Sequence, residues 1–361
     1  MRADPRKDRT LLSALSLVSP GTQLRSGIDD IIRAQHGALI VAGEPSDLSF
    51  LFSGGMRLDL PLTSQLLYEL AKMDGAIIVN GELTKLVYAN VQLMPDPTIP
   101  SAETGTRHRT AERVAKQTGA LVISISQQRE TVTVFIGEQR YQLGEISDVL
   151  ARTNQALATL ETYRARLDQG LTRLTALEFQ SAAVLDDVLV VLQRAEMTTR
   201  MASEIERNRV ELGEEGRLIQ MQLDELMEGV AREKTAVAYD YELSGEPAGA
   251  VAALERLGAL AHERLVEFDE IAVLLGYPKE ANPLDHTVTT RGYRVLQHIP
   301  RLPEMIVRHL VRDFQSLDAV IRASQRELEA VEGVGAVRAR EIREGLRRLQ
   351  EHNLVDRYLQ L

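Results

Sequence analysis

Ser64-Gln65-Leu66-Leu67-Tyr68-Glu69-Leu70-Ala71-Lys72-Met73, then Asp74-Gly75, then Ala76-Ile77-Ile78-Val79, decides the fold of the first part of the chain. Ser64–Met73 reads as a helix, Asp74-Gly75 as a tight turn, and the glycine-bounded apolar run Gly75–Val79 as a strand. Working outward, Gly37–Ala42, Ala120–Ser126 and Thr131–Ile136 read as further strands, and Ala111–Thr118 as a second helix. Strands and helices in one unit predict an α/β domain, a mixed sheet with flanking helices, over residues 1–146. Strand order is not legible at this level.

Beyond Ile146 the period changes. Leu150, Leu157, Leu160, Leu167, Leu171, Leu174 and Leu177 recur at threes, fours and sevens, which predicts a long amphipathic helix to about Gln180. Helical pattern continues through Ala183–Ala195, Arg217–Gly229 and Leu254–Leu275, with turns at Pro247, Gly249 and Gly276-Tyr277-Pro278. Residues 147–290 are therefore expected to form an all-α spine, its leucine stripe core or an assembly surface. From Arg291 short helices around tight turns predict a third, all-α domain, 291–361. There Leu328-Glu329-Ala330-Val331-Glu332-Gly333-Val334-Gly335-Ala336-Val337-Arg338-Ala339-Arg340-Glu341-Ile342 has the helix-hairpin-helix form. Gly333, Val334 and Gly335 would turn the backbone and expose amides to a DNA phosphate, supported by Arg338, Arg340 or Arg343. Such contacts predict salt-sensitive, sequence-independent binding. Ile299-Pro300-Arg301-Leu302-Pro303 resembles a first hairpin without glycines, for which phosphate binding is not expected.

Charge distribution agrees. Residues 1–146 carry 15 basic and 16 acidic side chains, 147–290 carry 14 and 26, and 291–361 carry 13 and 10, every basic one an arginine. Only the tail is basic, although the chain's net charge is −10. The 361 residues contain no cysteine, which excludes disulfides, thiol nucleophiles and cysteine-held zinc. No signal peptide or membrane-spanning run is visible, so a soluble cytoplasmic protein with no membrane partner is expected. The charged Met1–Thr10 stretch reads as a flexible tail. Gly-x-x-x-x-Gly-Lys-Ser/Thr, His-Glu-x-x-His and Gly-x-Ser-x-Gly are all missing from the sequence.

The chemistry is carried by Asp74-Gly75-Ala76 and, about thirty residues on, Gly105-Thr106-Arg107-His108-Arg109-Thr110-Ala111. A carboxylate in a tight turn suits a divalent metal or accepts a proton. Guanidinium groups match phosphate oxygens two at a time, and Arg107 and Arg109, as alternate residues, could point to one side. Gly105 permits close backbone approach; Thr106 and Thr110 supply hydroxyls, and Thr110 suits an N-cap for the following helix. The N-terminus of that helix would aim free N–H groups at an anion. Together these predict a nucleoside triphosphate site.

This pairing, with Ala89-Asn90-Val91-Gln92-Leu93 and Pro95-Asp96-Pro97, resembles the diadenylate cyclase family, whose signatures are Asp-Gly-Ala and Arg-His-Arg. End to end, the chain is similar to the DNA-integrity scanning branch of that family, with its cyclase domain, helical spine and helix-hairpin-helix module. The resemblance implies condensation of two ATP into cyclic di-AMP and two pyrophosphates. Asp74 would bind Mg²⁺ or Mn²⁺ and orient or deprotonate the 3′-hydroxyl. Arg107, His108 and Arg109 would hold the triphosphate, with Thr106 and Thr110 adding donors, and His108 acting as acid for the leaving group or, preferred here, as a phosphate donor. Gly75 and Ala76 would let the nucleotide approach, Leu93 would lie at the adenine and Ser126 near the base or ribose. A symmetric product calls for two half-sites across a twofold axis, and the resemblance implies a homo-octamer. Joining the two ends of the architecture suggests that (branched) DNA bound at the hairpins regulates the cyclase through the spine, in DNA-damage signalling. The competing expectation is a non-catalytic nucleotide-sensing scaffold that binds DNA; a buried turn carboxylate at Asp74 would argue against it.

Overall fold

The computed structural model describes residues 5–279 and 282–359. The N-terminal part runs α1 (Pro5–Leu17), α2 (Gln23–Arg33), β1 (Ala38–Ala42), α3 (Pro45–Leu48), β2 (Phe52–Ser53), β3 (Met56–Pro61), α4 (Ser64–Ala71), β4 (Ala76–Val79), β5 (Lys85–Leu93), α5 (Thr106–Thr118), β6 (Leu121–Ser126), β7 (Thr131–Ile136) and β8 (Gln139–Leu143). Helix starts at Pro5, so Pro5–Thr10 is helical rather than a loose tail; the rest of the Met1–Thr10 stretch, residues 1–4, lies outside the described residues. The strands form one sheet in the order β2-β5-β4-β1-β6-β7-β8, with β3 also on β5; β1 and β4 are parallel and the other pairs antiparallel.

Strand alternation separates two cores. Ala38, Ile40 and Ala42 of β1 join Leu15 and Val18 of α1, Leu24, Ile28 and Ile31 of α2 and Leu67 and Leu70 of α4 on one face. Leu39 and Val41 face the other way, with Ala76, Ile78, Val122 and Phe135, onto Ala111, Val114 and Ala115 of α5. The mixed sheet with flanking helices is thus the observed class. On this second face α5 packs beside Leu48 of α3 and Leu51, and the N-terminus of α5 is delivered to one end of the sheet.

The remainder is helical: α6 (Ile146–Phe179), α7 (Leu185–Leu212), α8 (Arg217–Met227), α9 (Val230–Tyr241), α10 (Pro247–Ala259), α11 (Phe268–Leu274), α12 (Tyr293–Gln297), α13 (Glu304–Phe314), α14 (Leu317–Arg322), α15 (Gln325–Glu329) and α16 (Ala336–Leu359). The expected helix Leu254–Leu275 is two, because the backbone is extended at Leu260 and at Glu267 between α10 and α11. Contacts divide the chain into two compact units. One holds the N-terminal stretch through Ala156 with Glu204–Gln222; the other holds Leu157–Ser203 and everything from Leu223 on. Leu157, Leu160, Leu167 and Leu174 are at most 4% exposed within the chain, so this part of the stripe is core, while Leu150, Leu171 and Leu177 are half-buried. No helix among the described residues is long and apolar enough to cross a membrane.

Two helical hairpins, α12–α13 and α15–α16, repeat one another: Leu296, Ile299, Arg301, Leu302 and Val307 correspond to Leu328, Val331, Gly333, Val334 and Ala339. Gly333 turns at φ +81°, and Arg301 adopts the same left-handed conformation at φ +62°. The first turn keeps its shape without glycine, at the steric cost an L-residue carries there.

Candidate functional site

Register places the predicted residues at one end of the sheet. Leu39 pairs with Ala76, so Gly37, two residues earlier, is level with Asp74; Ala38 pairs with Ile125, so Gly37 is also level with Ser126. Val91 pairs with Ala76, which carries Leu93 to the same end. Neighbouring strands lie about 4.8 Å apart, so Leu93, Asp74, Gly37 and Ser126 span four adjacent strands.

Gly75 has φ +112°, and a Cβ there would lie 2.9 Å from the backbone carbon of Asn90, itself at φ +54°. The glycine is therefore required by β5 pressing on the turn. Ala76 is 1% exposed and its methyl belongs to the core beneath α5, leaving only its backbone for a ligand. Asp74 is exposed, contrary to the expected buried turn, and among the described residues it has no hydrogen-bond or ion-pair partner. Its carboxylate is free for an external cation or proton. No cluster of three or more His, Asp or Glu suited to a metal occurs among the described residues.

Helix α5 begins at Thr106 with Gly105 as its cap, five residues before the expected start, so Thr110 is helical rather than capping. Gly105 supplies no cap side chain, and the amides of Thr106, Arg107 and His108 have no protein partner among the described residues. At 100° per residue, Arg107 and Arg109 lie on opposite sides of the helix rather than on one. Arg107 and His108 precede Ala111 and Glu112 by four residues and so share their sheet-facing side. A Cβ on Gly37 would collide with the Arg107 guanidinium and lie 3.1 Å from the Ile125 carbonyl. Arg109 instead donates from Nη2 to the Thr104 carbonyl at 3.1 Å, holding the preceding loop. Thr106 and Thr110 share the next side of the same turns, four residues apart. Leu93 is 8% exposed, in the core beneath α5, and Ser126 is half-buried at the strand end, accepting the Arg129 amide at 3.3 Å.

His108 titrates below the ordinary histidine range. Burial comes first, then the charges of Arg107, Arg140 and Arg129, with Glu103 opposing them. It is neutral at pH 7, which favours a hydrogen-bonding role over a standing acid. Gly37, Glu103, Arg129 and Arg140 escaped the sequence reading, because nothing local marks a glycine that makes room for an arginine seventy residues on. Gly37→Ala should displace the flexible end of Arg107 at little cost to folding. Losing one charged contact to phosphate should raise KM for ATP about tenfold; an unchanged KM would show that Arg107 does not need this seat.

In the second hairpin, a Cβ on Gly333 would lie 2.7 Å from the Ile306 side chain, whereas one on Gly335 meets nothing within 4 Å. Val334 is 4% exposed and its N–H donates to the Val331 carbonyl at 3.0 Å, so it serves the core and is no phosphate donor. Arg338 is exposed but its Nη1 donates to the Gly333 carbonyl at 2.7 Å, bracing the turn. Arg340 and Arg343 are exposed with no protein partner among the described residues, opposite the buried Ala339, Ile342 and Leu346.

Residues 25–140 match the family model described as DisA bacterial checkpoint controller nucleotide-binding, and residues 143–284 the one described as DisA bacterial checkpoint controller linker region. Similar curated proteins are named DNA integrity scanning protein DisA. That of Carboxydothermus hydrogenoformans is 49% identical over 96% of this chain and 98% of its own. That of Acetivibrio thermocellus is 46% identical over 98% of each. That of Symbiobacterium thermophilum is 48% identical over 96% of this chain and 97% of its own.

Proposed function

We propose that this chain, which belongs to the DisA family and is a diadenylate cyclase, a nucleotidyltransferase, performs its chemistry at the sheet end bounded by Asp74, Arg107 and Ser126. The observation that carries the reading is the convergence there of a carboxylate and three amides unpartnered among the described residues, together with a guanidinium. An ATP triphosphate fits the α5 N-terminus, where Thr106, Arg107 and His108 amides and the Arg107 side chain meet its oxygens. Thr106 and Thr110 hydroxyls add donors, and Arg109 keeps the loop in place behind them. The base would lie toward Leu93 and Ser126. Asp74 would hold Mg²⁺ or Mn²⁺, which supplies charge neutralisation on phosphate oxygens and takes its other ligands from the nucleotide and water.

In each transfer the 3′-hydroxyl of one ATP forms a bond to the α-phosphorus of the other. The α–β bridging bond breaks, pyrophosphate leaves, and Asp74 orients the hydroxyl or takes its proton. Two such transfers close the ring of cyclic di-AMP. The symmetry of the product supports two copies facing each other across a twofold axis, within a homo-octamer; sedimentation of the active species tests this. The decisive assay is incubation of the purified chain with ATP and each divalent metal in turn. Chromatography should reveal cyclic di-AMP and pyrophosphate, and ATP recovered unchanged with every metal would overturn the reading.

The C-terminal hairpins form the helix-hairpin-helix module, which we assign to the DNA backbone, branched DNA included. Gly335 stands open before the first amides of α16, and Arg340 and Arg343 are unengaged. Gly335→Asp places a carboxylate where no protein atom interferes, so it should fold normally and leave basal cyclase activity intact. Affinity for junction DNA should fall about tenfold or more, with a shallower salt dependence; unaltered affinity would remove this turn from the interface. Such binding would serve DNA-damage signalling if junction DNA alters turnover of the full chain.

A further inference from the structure

The loop leading into α5 carries a carboxylate where a polyphosphate site has no evident use for one. Glu103 lies two residues before the Gly105 cap, and its side chain is 13% exposed. Its Oε1 accepts from Nε of Arg140 in β8 at 2.5 Å, while the Arg140 side chain remains 48% exposed. Both act on His108, Glu103 favouring its protonation and Arg140 opposing it.

The loop's other polar ties run to α5 itself. Ser101 Oγ donates to Glu112 at 2.5 Å and the Ala102 amide to the same carboxylate at 3.0 Å. Arg113 reaches the Ile99 carbonyl at 2.9 Å, Lys116 the Pro100 carbonyl at 2.9 Å, and Gln117 accepts the Asp96 amide at 3.0 Å. These bonds make loop and helix one body without fixing that body on the sheet. Among the described residues, Glu103–Arg140 is the polar side-chain tie from Asp96–Gly105 to a strand, two strands away from Ser126 in the sheet order.

We propose that Glu103 and Arg140 are a positioning pair for the cyclase reaction, seating the first turn of α5, and His108 with it, over the sheet end. The inference rests on the assignment of that turn to the triphosphate. A half-exposed ion pair contributes little to folding, so its effect is local. It is also large, because misplacing a reacting group by about 1 Å can cost two orders of magnitude in rate. The carboxylate neutralises Arg140, which is why the pair is assigned to positioning rather than to phosphate binding.

The test is steady-state kinetics on the full chain carrying Glu103→Gln, Arg140→Gln or both, with melting temperature as the fold control. Each single change should lower kcat about tenfold and move KM for ATP less than about twofold. The double variant should fall no further than the worse single, since one pair is broken in all three. The limb of the pH–kcat profile set by His108 should move to lower pH in Glu103→Gln and to higher pH in Arg140→Gln, a split that a merely structural role does not produce. Multiplicative losses in the double variant would overturn the pairing. A tenfold rise in KM at unchanged kcat would make Arg140 a direct phosphate ligand and overturn it too. His108→Ala separates the two levels of the argument: wild-type turnover there would sink the triphosphate assignment itself, whatever the pair does.

Discussion

Asp74→Asn should reduce cyclic di-AMP formation about 10³-fold or more while leaving the fold and ATP binding nearly intact. Asparagine matches aspartate in size, and residue 74 is exposed with no protein partner among the described residues. An exposed substitution of this kind moves stability by no more than about 0.5 kcal/mol. In the proposed site the triphosphate is held by the amides of Thr106, Arg107 and His108 and by the Arg107 guanidinium, none of which the change touches. What disappears, on the proposed assignment, is the negative charge that would hold a divalent cation and the oxygen that would accept or orient the 3′-hydroxyl proton. General-base assistance alone is worth about 10²–10⁴ in rate. Product quantified by chromatography, beside equilibrium binding of a non-reacting ATP analogue, separates the two effects. Turnover within tenfold of wild type would take Asp74 out of the chemistry; loss of analogue binding would make it a binding residue instead.

The contrast between Asp74 and its neighbours shows what the sequence could disclose. Strands β1 and β4 are continuous apolar runs next to glycines, and β6 and β7 are largely apolar, interrupted only by Ser124, Ser126, Thr131 and Thr133, so their composition betrays them. Strand β5 was not visible as a whole, because the register shifts against two of its three partners, β3 and β4, and Asn90 turns left-handed within it. Strand β8 is mostly polar and only Leu143 is buried. The start of α5 was placed late because apolar periodicity begins at Ala111, while Thr106–Thr110 form its first turns without a cap side chain. Residue types therefore pointed to a chemistry for the site, but its assembly depends on long-range facts. Gly37 has meaning only against Arg107, and Glu103 only against Arg140. In the first hairpin Arg301 holds the glycine-like turn without the glycine that would announce it.

The same limit applies with more force to a buried charge network in the helical part, which carries the largest stability effect expected of a single change. Arg294, at the start of α12, is 2% exposed, and its guanidinium pairs with Glu178 of α6. It also donates to Thr175 Oγ1 at 2.8 Å and lies 3.7 Å from Glu233 of α9, which is bonded to His298 at 2.8 Å. The Tyr241 hydroxyl donates to Glu178 at 2.8 Å. Beside them Asp240, fully buried, accepts the amides of Gly292, Tyr293 and Arg294 at 2.7, 2.6 and 2.9 Å; burial, with the Glu178 charge behind it, pushes its carboxyl up to about 7. Glu178→Ala would strand a buried guanidinium. Breaking such a pair costs about 3–5 kcal/mol, a fall of about 10 °C in Tm for a unit of this size. Replacing both Glu178 and Arg294 with methionine removes the stranded charge and should recover most of that loss, because a packed apolar pair can match a buried ion pair. Thermal unfolding of the single and double variants decides the point. If Glu178→Ala costs less than about 1 kcal/mol, water reaches the guanidinium and the network does not fasten α12 to α6 and α9. If the double variant is as unstable as the single, packing around Tyr241 and Thr175, rather than the uncompensated charge, is what the ion pair protects.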